Sequence, residues 1–274
     1  MATEPIELDE AAAPQIAAFT RVACAYDLLS TTSVQRAVFA DPGPQRVLGV
    51  YDGGLDAVAI AVVRGVRGWV KFLAVHPRNR RAGIGTALLE QVESFCRDNG
   101  ASSVEVGNSA PYYVSPGVDV RTSEAVCFYE ALGYKRYGEA VDLGIRLAGL
   151  PEPALPVHVA TEQDREHLLV WVEKYHANEI DELTRGVRLG SCIVHDDIGF
   201  ACVDVNREGF FGPTATHPDA RGTGVGTATL LGALHLMRSR GHEHATISWA
   251  AALPFYVKNG ALISRVYWWY RKEL

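Results

Sequence analysis

One pattern of residues occurs twice in this 274-residue chain, in the same order each time, and a chain that repeats itself folds as two copies of one unit. The first copy reads Trp69-Val-Lys-Phe-Leu-Ala-Val-His76-Pro77, then Arg80-Arg-Ala-Gly83-Ile-Gly85, then Phe128-Tyr129-Glu-Ala-Leu-Gly133. The second reads Gly209-Phe-Phe-Gly-Pro-Thr-Ala-Thr-His217-Pro218, then Arg221-Gly-Thr-Gly224-Val-Gly226, then Phe255-Tyr256-Val-Lys-Asn-Gly260. Between them, Gly149 to Pro156 holds three prolines in eight residues, which keeps the backbone extended and marks a linker. The domain reading is 1–148, a proline-rich linker at 149–156, and 157–274.

Each half reads as mixed α/β. Arg46 to Tyr51 and Leu55 to Arg64 flank Asp52-Gly53-Gly54, a hairpin signal, and Val66 to Val75 continues as a third strand. Leu88, Leu89, Val92, Phe95 and Cys96 recur at helical spacing between Ile84 and Arg97. A strand at Ser103 to Gly107, a helix at Ser123 to Leu132 and two closing strands between Gly133 and Leu147 complete the half. The second half opens with a helix from Thr161 to Tyr175, Thr161 standing at its N-cap and Asp164 in its first turn. Strands up to about Ala215, a helix at Val225 to Arg240, a strand at His244 to Trp249, a short helix and a closing hairpin follow. From Gly85 to Tyr129 is 44 residues, but from Gly226 to Tyr256 only 30, so the first half carries about fourteen more. They fall at Asn108 to Arg121, a stretch rich in proline and tyrosine; a pocket lining and a surface excursion both fit it.

Net charge is −6, which excludes a nucleic-acid reader working through bulk positive charge. The five cysteines are odd in number and form no Cys-x-x-Cys, so free thiols and a cytoplasmic setting are expected. The acidic start, Glu4 to Glu10, has the wrong sign for a secretion signal. The most apolar window, Leu55 to Val63, is about half of a membrane span and contains Asp56, so no membrane association is expected. His242-x-His244 lacks further ligands nearby, and no metal is expected.

Arg-x-x-Gly-x-Gly between a strand and a helix has a direct physical use. Glycines let consecutive backbone N–H groups converge on an anion, and the helix start adds positive dipole. The arginine can add a charge, so a phosphate or pyrophosphate is the expected ligand. The dinucleotide fingerprint is not completed, because Leu88 and Thr229 stand where its third glycine belongs, and no Gly-Lys-Ser/Thr of a nucleotide triphosphatase occurs.

These paired motifs resemble the GNAT superfamily of acyl-CoA-dependent N-acetyltransferases, over nearly the whole chain. The resemblance implies two tandem folds, each a mixed, mostly antiparallel splayed sheet flanked by helices, with acetyl-CoA wedged into the gap. It places the pyrophosphate on Arg80, Arg81, Ala82, Gly83, Ile84, Gly85 and Thr86, and on Arg221, Gly222, Thr223, Gly224, Val225, Gly226 and Thr227. It places the pantetheine arm along Leu73, Ala74 and Val75 and along Thr214, Ala215 and Thr216. It puts Tyr129 and Tyr256 near the sulfur, where a tyrosine of pKa about 10 suits a leaving thiolate of about 8.5. The attacking amine must be neutral, so a carboxylate or a water chain has to take its proton. Glu105, Asp119 and Asp204 are the candidates, each also readable as a hydrogen-bonded structural carboxylate.

The Asn108 to Asp119 segment and the closing Ser264 to Lys272 resemble tandem acetyltransferases acting on amino sugars, including glucosaminide and kasugamycin-type aminoglycoside acetyltransferases. That implies an aminoglycoside or amino-sugar acceptor, antibiotic resistance, and sugar contacts from Tyr112, Tyr113, Asp119 and Trp249. Aromatic faces and an acidic surface suit a cationic sugar. The alternatives are a peptide or metabolite amine and a catalytically silent acetyl-CoA sensor, and a homodimer is open. Both halves keep their glycine loops; the expectation leans to catalysis in the half whose cleft faces the Pro111 to Asp119 loop.

Overall fold

The computed structural model describes residues 4–274. In the N-terminal half it contains β1 (Ile6–Glu7), α1 (Ala13–Ala23), α2 (Thr31–Val34), β2 (Gln45–Tyr51), β3 (Leu55–Arg64), β4 (Arg67–Val75), α3 (Ile84–Asp98), β5 (Ser103–Val106), β6 (Val118–Asp119) and α4 (Ser123–Ala131). Then come β7 (Lys135–Arg146), β8 (His158–Val159), α5 (Glu162–Tyr175), α6 (Ile180–Arg188), β9 (Cys192–His195), β10 (Gly199–Val203) and β11 (Phe210–Thr216). The chain closes with α7 (Val225–Ser239), β12 (His244–Ile247), α8 (Leu253–Lys258) and β13 (Leu262–Glu273).

Two compact units form, one of residues 4–140 and 266–274, the other of residues 141–265. The divide expected at residue 148 therefore falls differently, and the reason is strand pairing. The second part of β7 runs antiparallel to β12, Leu143 opposite Ile247 and Arg146 opposite His244, which ties it to the second unit. The end of β13 runs antiparallel to β5, Tyr270 opposite Val106, so the last residues complete the sheet of the first unit. Two further expectations change for a related reason. Lys135 to Arg146 is one strand where two were expected, because Gly138 makes no turn: a Cβ there would meet the Trp269 ring at 2.5 Å. The closing hairpin is likewise one twelve-residue strand, for nothing between Leu262 and Glu273 supplies turn chemistry.

Within each unit the sheet is covered on both faces, which explains the unbroken apolar run of β3. A strand with helices on both sides has no solvent face to mark with alternating polar residues. Ala57, Ala59, Ala61 and Val63 pack with α3, while Val58 and Ile60 pack with Ile16, Phe19 and Val34 of α1 and α2. The second unit repeats this. Ala201 and Val203 join Leu230 and Leu234 of α7, and Phe200 and Cys202 join Leu168, Val172 and Leu183 of α5 and α6. Thr161 and Asp164 form a capping box at the start of α5, as the sequence indicates.

Among the described pairings one step in each unit is parallel, β4 on β5 and β11 on β12, and the others are antiparallel. Among the described residues no helix is long and apolar enough to cross a membrane.

Tyr270 is fully buried, stacks on Tyr129 at 6.1 Å and hydrogen-bonds Glu130 through its hydroxyl at 3.0 Å. Tyr270→Ala is expected to destabilise the first unit by about 3–5 kcal/mol, the range for emptying a large aromatic site. Urea unfolding that shows no change in midpoint would contradict the place given to the last strand.

Candidate functional site

In each unit the parallel step is abandoned early. β4 pairs with β5 only from Arg67 to Val70, and its next five residues continue with no ladder on that side. β11 pairs with β12 only at Phe210 and Phe211, and again five residues continue. On the other side both strands stay paired through a bulge, at Ile60/Ala61 against β4 and at Ala201/Val203 against β11. Antiparallel bonding alternates along a strand. His76 donates to the Asp56 carbonyl at 2.7 Å, so Ala74 also faces β3, and Leu73 and Val75 turn their amides to the open side. His217 donates to the Ile198 carbonyl at 2.8 Å, so Ala215 faces β10 and Thr214 and Thr216 face the opening. Of the six strand residues expected to line the gap, four present their backbone to it; Ala74 and Ala215 are spent on the neighbouring strand.

The glycine loops lie at the ends of these open edges. His76 and His217 each cap a short turn, Nδ1 accepting from Arg78 and Asp219 at 3.2 and 3.3 Å, which makes both histidines structural. Gly83 and Gly224 then precede α3 and α7 with φ of 84° and 97°, a left-handed backbone that a side chain strains. Among the described residues no backbone carbonyl accepts from the amides of residues 81–86, nor from those of Gly222, Gly224, Val225, Gly226 and Thr227. Each loop is thus a run of unspent N–H donors at the positive end of a fifteen-residue helix, built for an anion. The arginines differ. Arg80 donates to the carbonyls of Val75 (3.2 Å) and Ala23 (2.9 Å), so it braces the loop instead of waiting for a phosphate. Arg221 is exposed, and its charge acts on His176.

The recurrence of Phe-Tyr also has a packing cause. A Cβ on Gly85 would lie 3.4 Å from the Phe128 ring, and one on Gly226 would lie 3.6 Å from that of Phe255. The phenylalanine sits on the helix start, and this contact holds α4 and α8 each against the helix that follows its glycine loop. Tyr129 packs among Phe128, Tyr134 and Tyr270, and Tyr256 between Phe255 and Phe211. Neither hydroxyl has a hydrogen-bond partner among the described residues, and burial pushes the Tyr256 phenol up to about 12 and that of Tyr129 higher. Both stay protonated at any working pH, fit to donate a hydrogen bond.

An acetyltransferase (GNAT) domain model matches residues 44–136, and an acetyltransferase (GNAT) family model matches residues 157–261. The chain belongs to the GNAT acetyltransferases. It carries two such domains and is an N-acetyltransferase. No curated protein sequence matches it, and three similar solved structures each lie below 25% identity, which speaks for the fold alone. One is a GCN5-related glucosamine N-acetyltransferase region of a fungal multi-domain GH3 β-N-acetylglucosaminidase, at 18% identity and TM-score 0.79. That match covers 99% of this chain and 38% of the longer fungal one. A GCN5-related N-acetyltransferase from Sphaerobacter thermophilus matches at 20% identity and TM-score 0.74, over 98% of this chain and 95% of its own. A tandem GNAT protein from the clavulanic acid biosynthesis pathway matches at 17% and 0.74, over 98% of both.

The carboxylates singled out from the sequence of this GNAT protein are already occupied. Glu105 is fully buried, accepts from the Tyr137 hydroxyl at 2.6 Å and binds Arg271 at 2.7 Å. Asp119 lies in β6 and not in a free loop, gripped by the Arg121 guanidinium at 2.7 to 3.2 Å. Asp204 binds Arg240 at 2.9 Å and the Gly209 amide at 2.7 Å. None of the three keeps an oxygen open for an incoming amine. Tyr112 and Tyr113 are each 7% exposed, so they lie within the first unit and do not form a ready aromatic platform. The loop after them is fastened down, Trp269 Nε1 donating to the Pro116 carbonyl at 2.9 Å. In the second unit the Trp249 amide and the Ser248 hydroxyl both bond buried Asp142.

The sequence reading passed over the corner between α5 and α6. Glu179, Glu182 and Gly186 fall at i, i+3 and i+7, on the face of α6 that also buries Leu183. Acidic residues in phase with a buried stripe were the available signal. Asn206 donates to Glu182 at 2.6 Å, and Arg185 bonds Asn206 and Asp181. Burial nevertheless pushes Glu182 up to about 8 and Glu179 up to about 7.

These shifts tie stability to pH. The folded chain holds protons on Glu179 and Glu182 that the unfolded chain releases near 4.5, so stability falls as pH rises from there through about 7 to 8. Glu182→Gln keeps an acceptor for Asn206 and removes the charge. It is expected to raise the melting temperature at pH 9 by a few degrees and to leave it nearly unchanged at pH 5. An equal shift at both pH values would contradict the assigned cause.

Proposed function

We propose that the chain is an acetyl-CoA-dependent N-acetyltransferase whose acceptor is the primary amine of an amino sugar or aminoglycoside, in the latter case a resistance activity. The observation that carries the acetyl-CoA part is the pairing, in each unit, of an open strand edge with a run of unspent amides at a helix start. Those two features ask for a ligand with an anionic end and an extended amide-bearing arm. Arg81 to Thr86 and Gly222 to Thr227 would hold the pyrophosphate, and the free amides of Leu73, Val75, Thr214 and Thr216 would bond the arm. Acetyl-CoA supplies an acetyl group activated as a thioester.

The chain's own residues then have defined tasks. A backbone amide on the open edge faces the developing oxyanion, a donor worth about 3–4 kcal/mol in such sites. The Tyr256 hydroxyl, with its pKa of about 12, stabilises the departing thiolate as a hydrogen-bond donor; a full proton transfer to a thiolate of about 8.5 would run uphill. The amino-sugar reading is supported by the net charge of −6, which favours a cationic acceptor. It is also supported by the likeness in fold to a glucosamine N-acetyltransferase region.

Two measurements test this. Gly83→Val and Gly224→Val place a β-branched side chain at positive φ, and each is expected to weaken acetyl-CoA binding to its own unit about tenfold, or 1.4 kcal/mol. Unchanged calorimetric affinities in both variants would contradict the loop assignment. Thiol release with mass detection across kasugamycin, other aminoglycosides, glucosamine, a lysine peptide and an N-terminal peptide is expected to give one acetyl group on one amino sugar. Turnover confined to peptides would move the acceptor to that class, and bound acetyl-CoA with no turnover would point to a sensor.

A further inference from the structure

The hairpin of β9 and β10 places two cysteines face to face. Its register pairs Gly199 with His195 and, three steps on, Cys202 with Cys192. A tight turn sets that register: Ile198 donates to the His195 carbonyl at 3.3 Å, and Asp196 takes a φ of 44°. A slip of one residue would turn every side chain to the other face, so the pairing is firmly specified. Both cysteines are fully buried on the face under α5 and α6, among Leu168, Val172 and Leu183. All five thiols of the chain are free.

Facing residues in an antiparallel ladder alternate between pairs that exchange backbone hydrogen bonds and pairs that do not, and the second kind bring their side chains closer. Val203 donates to the Ser191 carbonyl at 2.8 Å, so that pair is of the first kind and Cys202 with Cys192 is of the second. The Cys192 carbonyl accepts from Ala160 at 2.8 Å, which likewise turns its backbone towards β8 and away from β10. The Cα atoms of such a pair stand about 4.5 Å apart. That lies inside the span of about 4.4–6.8 Å that disulfides bridge. The helix above leaves room for the sulfurs through Gly186, where a Cβ would stand 2.7 Å from Cys202 Sγ.

We infer that Cys192 and Cys202 are a modification site, a dithiol that closes to an intrachain disulfide when the surrounding thiol pool is oxidising. The co-reactant is a small disulfide such as glutathione disulfide. One cysteine, as its thiolate, attacks it and forms a mixed disulfide, releasing one glutathione; the other then attacks the protein sulfur of that mixed disulfide and releases the second. The pair loses two electrons and two protons, and one glutathione disulfide becomes two glutathiones. Burial pushes the Cys202 thiol well above its usual range, which slows attack while the fold is closed. Access comes through local opening of the sheet edge. There β8 is two residues long and holds β9 by the pairs His158 with Val194 and Val159 with Ile193.

The site bears on the second slot and not on the first. Ala201 pairs with Thr214 and Val203 with Phe211, so Cys202 stands opposite the β11 bulge at Gly212 and Pro213. β10 holds the closed side of that slot, and the bond ties it to β9 at the level of the bulge. In the first unit the strands β2 and β3 contain no cysteine. The assignment holds whether or not the slot takes acetyl-CoA.

The test uses the full chain equilibrated in glutathione buffers, reached both from folded protein and by refolding from urea. With glutathione disulfide in excess, cleavage before Asp196 is expected to leave the fragments carrying Cys192 and Cys202 joined until dithiothreitol is added. A fold that favours the bond is in turn stabilised by it, so the oxidised chain is expected to unfold at a higher urea concentration than the reduced one. Cys192→Ala and Cys202→Ala are each expected to abolish both effects, and Cys127→Ala to keep them. Fragments that separate without reductant in both preparations, or glutathione retained on Cys192 and Cys202, would overturn the assignment. So would an oxidised chain that unfolds at a lower or equal urea concentration.

Discussion

The parallel ladder that stops early is the constraint on which the rest depends. A β-strand that leaves its neighbour mid-sheet exposes amides and carbonyls that must bond something, since an unpaired buried backbone group is costly. β4 and β11 both leave their partners with five residues still to run. The other edge of each strand stays paired through its bulge, so the open side is held rigidly and not by a mobile loop. The turn that follows could satisfy its amides locally, but in both units it leaves them free at the start of a long helix. The sheet thus makes a slot and the helix start gives it an electrostatic end.

Duplication explains why two such slots exist, and the two units also differ in how they hold buried charge. Lys71, Asp41 and Arg64 form a closed ion cluster in the first unit, costly to dehydrate but complete. In the second unit burial pushes Glu182 up to about 8 and Glu179 up to about 7, so both carboxyls hold protons well above the usual carboxylate range.

Local motifs carried most of the fold in the sequence. Gly83 and Gly224 are needed for backbone shape, Gly85 and Gly226 for the approach of Phe128 and Phe255, and these requirements recur at fixed positions, so they can be read in one dimension. The capping box at Thr161 and Asp164 is equally local. What could not be read depends on distant partners. Glu105 looks like an available carboxylate until Arg271, 166 residues away, is placed on it. Gly138 suggests a turn until Trp269 is seen filling the space its side chain would take. The last strand completes the first unit, and no periodicity within Leu262 to Glu273 says which half it joins. Glu179 and Glu182 were legible only as acidic residues in phase with the buried Leu183 of α6, and His176, 3.4 Å from Glu179, is brought to it by the fold.

The most direct measurement is a titration of the isotope-labelled protein with coenzyme A, following backbone amide resonances by NMR. The expected result is that the largest shifts fall on Arg81 to Thr86 or on Gly222 to Thr227, together with Leu73 and Val75 or Thr214 and Thr216. Saturable binding that leaves all of these amides unmoved would contradict the view that the open strand edge and the glycine turn form the ligand slot.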